Sequence, residues 1–242
     1  MTITRWVQQT RLMHILPYTI AKTNDLLTGR GGLVCVAELM RQIGFSSWVE
    51  RYFPRPDSNR GYQPAEIVTL WMLMLHEGAR CLEDARHLRR DRALRKLLGL
   101  RRLPSADMLG DWLRRLGRDA VGINALVQPA RGGLGEPHQG VEAGLRRGER
   151  LPCGQFDANG LYFHLCVTAY NLLVLLRHSL PPEWHTCRAP TFRWRVYALA
   201  AKVVSHARRV YLKFRPDQAD LIKTLLAALA PPERPPPLPS AA

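Results

Sequence analysis

Two blocks of helical periodicity, separated by a glycine-rich stretch that has none, limit what this chain can fold into. From Leu33 the apolar residues Leu33, Val36, Ala37, Met40 and Ile43 recur at three and four, the spacing of one helix face, and Gly44 ends the stretch. A short helix is expected over 47–53, closed by Pro54 and Pro56, and the loop 54–61 is dense in turn residues. Gln63-Pro-Ala-Glu66 opens a further helix, with Pro in its first turn and Glu at the positive end of its dipole. Its body, 67–75, is apolar nearly all round, which predicts burial, and Gly78 stops it. Shorter helices follow over 82–90 and 93–98, with Gly99 as C-cap. Ser105 is a good N-cap for 106–116, and Gly117 terminates that helix.

The pattern lapses between Asp119 and Arg150, which hold seven glycines in 32 residues. It returns at Phe156 with a helix running through His178, a second expected from about Thr191 to Phe214, and a third from Asp217 to Ala230. No repeat and no strand order is legible. The expectation is an all-α fold with an N-terminal arm (1–23), a helical region (24–127), a glycine-rich junction (128–150), a C-terminal helical region (151–230) and a proline-rich tail (231–242).

Charge narrows the partners. The 242 residues carry 35 Lys and Arg against 20 Asp and Glu, a formal net charge of +15. Such an excess costs self-repulsion unless an anion neutralises it, and nucleic acid is the commonest such anion. Between Arg86 and Arg118 there are 11 basic residues and three acidic ones, Asp91, Asp107 and Asp111; between Arg193 and Arg215 there are seven basic residues and no acidic one. Helix 93–98, turn 99–104 and helix 105–116 resemble a loosely spaced helix-turn-helix. That motif puts Arg101 and Arg102 on phosphates, with Arg114, Arg115 and Arg118 extending the basic face. In the second cluster Arg208 and Arg209 are the corresponding contacts. Phe192, Trp194, Tyr197 and Tyr211 interleave with it, as the core face of an amphipathic helix or, alternatively, as stacking platforms for unpaired bases.

Other chemistries find little support. Leu161 to Leu176 is 16 residues and carries His164, Thr168 and Asn171, short of the roughly 20 apolar residues that span a bilayer, so a buried helix and no stable membrane association are expected. The N-terminus has no continuous apolar run of the signal-peptide kind. Five scattered cysteines without a C-x-x-C suit a reducing cytoplasm. His178, His185 and Cys187 are too loosely spaced for a zinc site. Gly29-Arg-Gly-Gly32 lacks the Lys-Ser/Thr of a phosphate-binding loop.

Several motifs carry a resemblance. They are Asp25-Leu-Leu-Thr-Gly-Arg-Gly-Gly-Leu33, Arg60-Gly-Tyr-Gln-Pro-Ala-Glu-Ile67, Cys81-Leu-Glu-Asp-Ala-Arg-His-Leu-Arg89 and Leu98-Gly-Leu-Arg-Arg-Leu-Pro-Ser-Ala-Asp-Met-Leu109. Toward the C-terminus come Leu151-Pro-Cys-Gly-Gln-Phe-Asp-Ala-Asn159, Ala169-Tyr-Asn-Leu-Leu173 and a basic stretch around Ser205-His-Ala-Arg-Arg209. In this order they resemble the DDE transposases of bacterial insertion sequences, in the group 1 branch.

The resemblance implies DNA transposition by strand cleavage and transfer, with insertion-sequence ends as the partner and a homo-oligomer compatible with it. It also implies a ribonuclease-H-like sheet whose two Asp and one Glu hold two Mg²⁺ ions in an intact member. Here no strand ending in Asp lies between Asp119 and Asp157, and family members run considerably longer. Glu136 and Glu142 fall near the place of the family's catalytic Glu, but Pro137 and Gly140 disfavour a helix there. The expectation is a transposase-derived DNA-binding protein whose catalytic core is deleted, with no metal or cofactor of its own. The alternatives are a remnant with no stable fold and an active transposase or nuclease with an unrecognised site.

Overall fold

A computed structural model describes residues 13–15, 18–20, 22–56, 61–127 and 151–229. Its helices start and stop where the chain carries capping chemistry. Helices α1 (Val34–Gln42) and α2 (Phe45–Tyr52) are separated by Gly44 at a φ of 66°, a left-handed conformation that glycine adopts without penalty. Helix α3 (Pro64–Glu77) opens with the Gln63 N–H donating to the Glu66 carboxylate at 2.9 Å and closes on Gly78. Helices α4 (Ala85–Arg90) and α5 (Arg92–Leu97) meet at Asp91, whose carboxylate accepts from the Leu94 N–H at 2.8 Å. At the start of α6 (Ala106–Gly117) the Ser105 hydroxyl accepts from the Met108 N–H at 3.3 Å. Then come α7 (Val121–Val127), α8 (Phe156–His178), α9 (Ala189–Phe192) and α10 (Pro216–Leu229).

Helix α8 joins the two blocks. Ala158, Leu161, Leu165, Ala169, Leu172, Leu173 and Leu176 are buried along one side, and the helix packs against α1, α3, α6 and α7. It is long and apolar enough to cross a membrane by length and composition, yet its inward side is the middle of the protein's core. Gly117 makes the α6–α8 crossing close, because any side chain there would strike the backbone of Asp157 and Ala158. One continuous apolar cluster runs from Leu33 through Trp71 and Leu113 to Leu225.

The fold is mostly helical, as expected, and departs from all-α at the second C-terminal helix. Residues 191–214 form no continuous helix: α9 runs into one wide π-turn, Arg193–Tyr197, and the chain then makes strands β4 (Ala201–His206) and β5 (Arg209–Lys213). With β3 (Leu26–Thr28) they build a three-stranded antiparallel sheet in the order β3-β4-β5. Val203, Val204, Val210 and Tyr211 are β-branched or aromatic residues that favour a pleated, half-buried surface. Leu26 opposite Val203 and Thr28 opposite Ala201 supply the neighbouring strand. A further short ribbon, β1 (Met13–Ile15) against β2 (Tyr18–Ile20), lies in the N-terminal arm, whose weak periodicity gives little sign of regular structure.

The sheet also ties the N-terminal and C-terminal regions together. Thr28 of β3 donates its hydroxyl to the Asp91 carboxylate at 2.6 Å, and α10 packs on α1. Gly31 donates its N–H to the Leu199 carbonyl at 2.9 Å, and a side chain on Gly32 would collide with the Val196 carbonyl. Gly31 and Gly32 of the 29–32 motif thus serve close packing, Gly31 against Phe214 and Ala201 and Gly32 against the Val196 backbone.

Candidate nucleic-acid interface

The first basic cluster folds into a cleft. Arg86, Arg89 and Arg90 stand at helical spacing on α4, so they share one side of it. Opposite them the loop between α5 and α6 presents Arg101 and Arg102. Arg95 on α5 links the two walls, donating from Nη1 to the Arg89 carbonyl at 3.2 Å and from Nη2 to the Arg101 carbonyl at 2.7 Å. Its buried Nε–H finds no acceptor among the described residues. These six arginines, with Tyr62 and Leu103, line a cleft of about 450 Å³. The Arg102 guanidinium lies over the Tyr62 ring at 4.9 Å, and the Tyr62 hydroxyl donates to the Leu103 carbonyl at 3.2 Å. A second concavity of about 380 Å³ shares Arg95 and Arg101 and adds Arg92 and Lys96. Eight cations therefore face two adjoining hollows, and among the described residues no carboxylate lines either.

Two of the three acidic residues in this cluster are otherwise engaged. Asp91 is turned inward, its side chain 6% exposed, and accepts from Thr28 and Leu94 with Arg30 Nη1 at 3.7 Å. Asp111 pairs with Arg114 one turn along α6. Asp107 is exposed in the first turn of α6. The concentration of positive charge is thus left for an external anion to neutralise.

Of the arginines singled out in the sequence, Arg101 and Arg102 are exposed and in the cleft. Arg115 and Arg118 are exposed near the C-terminal end of α6, the end away from the Arg101–Arg102 loop, and Arg114 is engaged by Asp111. The helix-turn-helix resemblance does not extend to packing: α5 lies on β3 and β4, whereas α6 lies on α8. Arg208 and Arg209 are exposed on the β4–β5 hairpin, not on a helix. The four cleft arginines at 86, 89, 90 and 95 were legible only as charge density. Their i, i+3, i+4 spacing could have grouped the first three, but nothing local shows that Arg95 bridges two carbonyls.

The aromatic residues divide in the same way. Phe192 and Tyr197 are buried, while Trp194 is 77% exposed and Tyr211 is exposed on β5. Glu136 and Glu142 lie outside the described residues. His178 and His185 bring their rings to 4.9 Å, with His185 Nε2 2.8 Å from the Leu180 carbonyl. Among the described residues no group of three or more His, Cys, Asp or Glu side chains converges as metal ligands would. No family model, curated protein or solved structure matches this chain.

Proposed function

We propose that this chain is a DNA-binding protein derived from an insertion-sequence DDE transposase, acting in the cytoplasm without the family's Mg²⁺-dependent chemistry. The observation that carries the reading is the cleft of six arginines, beside which Asp91 is consumed by the fold. Guanidinium groups on two walls of one hollow suit phosphate oxygens, which accept from Arg in a bidentate manner. The motif order supports the transposase origin. The lack of any Asp between Asp119 and Asp157 supports a lost catalytic centre, since the chemistry needs three carboxylates around two metals. Such a fragment would occupy element ends and repress an intact copy.

The test is fluorescence anisotropy of the purified full chain on labelled element-end duplexes from low to high salt. The expected result is a steep fall of affinity with salt, and a slope reduced by about 0.9 for each phosphate contact removed in Arg89→Ala and Arg101→Ala. Salt-independent binding, or an unchanged slope in both variants, sinks the reading.

A remnant that has lost its packing partner is the second reading. It is favoured by the apolar side chains that α8 leaves outside, with Phe156 89% exposed and Phe163 and Leu175 also exposed. A broad, non-cooperative thermal loss of helix would support it over the first.

A further inference from the structure

The β4–β5 hairpin has two chemically unlike faces. Directly opposed residues in an antiparallel pair share a face and successive pairs alternate. The register therefore puts Lys202 opposite Lys213, Val204 opposite Tyr211 and His206 opposite Arg209 on one side, with Val203 opposite Leu212 and Ser205 opposite Val210 on the other. Ala201 and Val203 are buried, so the second side faces the protein at the base of the hairpin, while Ser205 and Val210 near its tip are exposed. The first faces solvent: Lys202, His206, Arg209, Tyr211 and Lys213 are all exposed. Arg208 stands at the tip in a left-handed conformation, φ 64°, beside Ala207 at 48°.

Folding does not account for this outer face. Like charges set directly opposite one another weaken a strand pair. Asp25 offsets Lys202 alone, at 2.8 Å, and no acidic residue occurs between 193 and 215. The two cationic ends are four residues apart, about 13 Å along a strand, with the Tyr211 phenol between them. The major groove of B-form DNA is about 12 Å wide and admits a two-stranded ribbon. A flat anionic bilayer makes no use of that spacing, and the narrow major groove of an A-form RNA duplex excludes the ribbon.

We propose that the outer face of the β4–β5 hairpin docks across the major groove of double-stranded DNA, with Lys202 and Lys213 on one phosphate wall, Arg208 and Arg209 on the other, and Tyr211 over the base edges. This rests on the reading of the chain as a DNA-binding protein but uses a surface other than the arginine cleft.

The test measures binding of the full chain to a 25-base-pair DNA duplex, an RNA duplex of matched length and phosphatidylglycerol vesicles. It compares Arg209→Ala/Lys213→Ala with the cleft variant Arg89→Ala/Arg102→Ala, each checked for an unchanged thermal melt. The expected result is that wild type prefers DNA to RNA. The hairpin variant loses about tenfold in DNA affinity and about two units of salt slope; its RNA binding is unchanged, and Arg209→Lys restores most of the DNA loss. If the hairpin variant binds DNA like wild type while the cleft variant is weakened, the hairpin proposal falls and the DNA reading stands. Equal loss on DNA and RNA, or loss confined to vesicles, overturns the groove assignment. Should wild type bind no duplex, both readings fall together.

Discussion

His76 is the buried titratable group on which the pH response of this fold turns. Its imidazole is 3% exposed at the end of α3, with Nδ1 2.9 Å from the Tyr197 hydroxyl. Burial, and after it the positive charge of Arg193, hold its pKa down to about 3. Arg193 is kept there by other bonds, donating to the His76 and Leu75 carbonyls at 2.8 and 3.1 Å and so capping α3. An unfolded chain would protonate this histidine near pH 6.5. Because the folded pKa is the lower of the two, its contribution to stability is complete above about pH 6.5 and is lost as pH falls toward 3, at about 1.4 kcal/mol per pH unit. His164, partly buried and also lowered, acts in the same sense, whereas the buried Glu77 carboxyl, raised, acts against it. Comparison with His76→Gln isolates the one residue. Urea unfolding at pH 7.5 and pH 5.0 is expected to show a loss of stability in wild type that is smaller by about 2 kcal/mol in the variant. An identical loss in both proteins would mean that His76 is not held neutral by the fold.

At the scale of elements, the β4–β5 turn is the clearest case of local strain. Ala207 and Arg208 both occupy the left-handed region that a two-residue hairpin turn of this hand demands, and for which Asn-Gly is the favoured pair. Ala207→Asn/Arg208→Gly should therefore stabilise the protein by about 1–2 kcal/mol in chemical denaturation, while removing one cation from the tip. No gain in midpoint would show that the turn is not strained. The same turn explains why the hairpin was hidden in the sequence. Ala and Arg are good helix formers, no Asn-Gly or Asp-Gly marks the reversal, and the apolar residues between 191 and 214 can be laid on a helix face. What decides for strands is the distant partner Leu26–Thr28, which local pattern does not reveal. Elements whose ends are fixed by short-range chemistry were legible: Gln63, Pro64, Glu66 and Gly78 bound one helix, and Ser105 and Gly117 nearly bound another. The candidate site was half legible for the same reason. Charge density is a local property and pointed to the right segment, but the concavity depends on the reach of Arg95 across two carbonyls.

The whole molecule carries a formal charge of +15 around a core to which both ends of the chain contribute. Self-repulsion of that size is screened by salt, so stability should rise with salt while the DNA affinity proposed above would fall. The sharper consequence concerns cooperativity. A division into an N-terminal and a C-terminal helical region invites the expectation of two independent units. In the fold, however, β3 pairs with β4, α8 lies against α1, α3, α6 and α7, and α10 packs on α1. Each of these contacts crosses the division, so neither half retains its core when the other opens. One transition is therefore expected. Trp71 and Trp112 report from the first half and Trp184 from the second, all buried. Single-tryptophan variants followed by fluorescence, beside far-UV circular dichroism, should give one midpoint in urea within error. Separate midpoints for Trp112 and Trp184 would mean that the shared core is too weak to couple the halves, and a midpoint-free slope at every probe would favour the remnant reading. A common midpoint carries a further implication for binding. The arginine cleft lies on α4, α5 and the loop before α6, and the basic hairpin lies on the sheet that α5 packs against. A cooperative fold then holds the two cationic surfaces in one fixed relation, so the DNA engagement proposed for each would carry no cost in ordering one against the other.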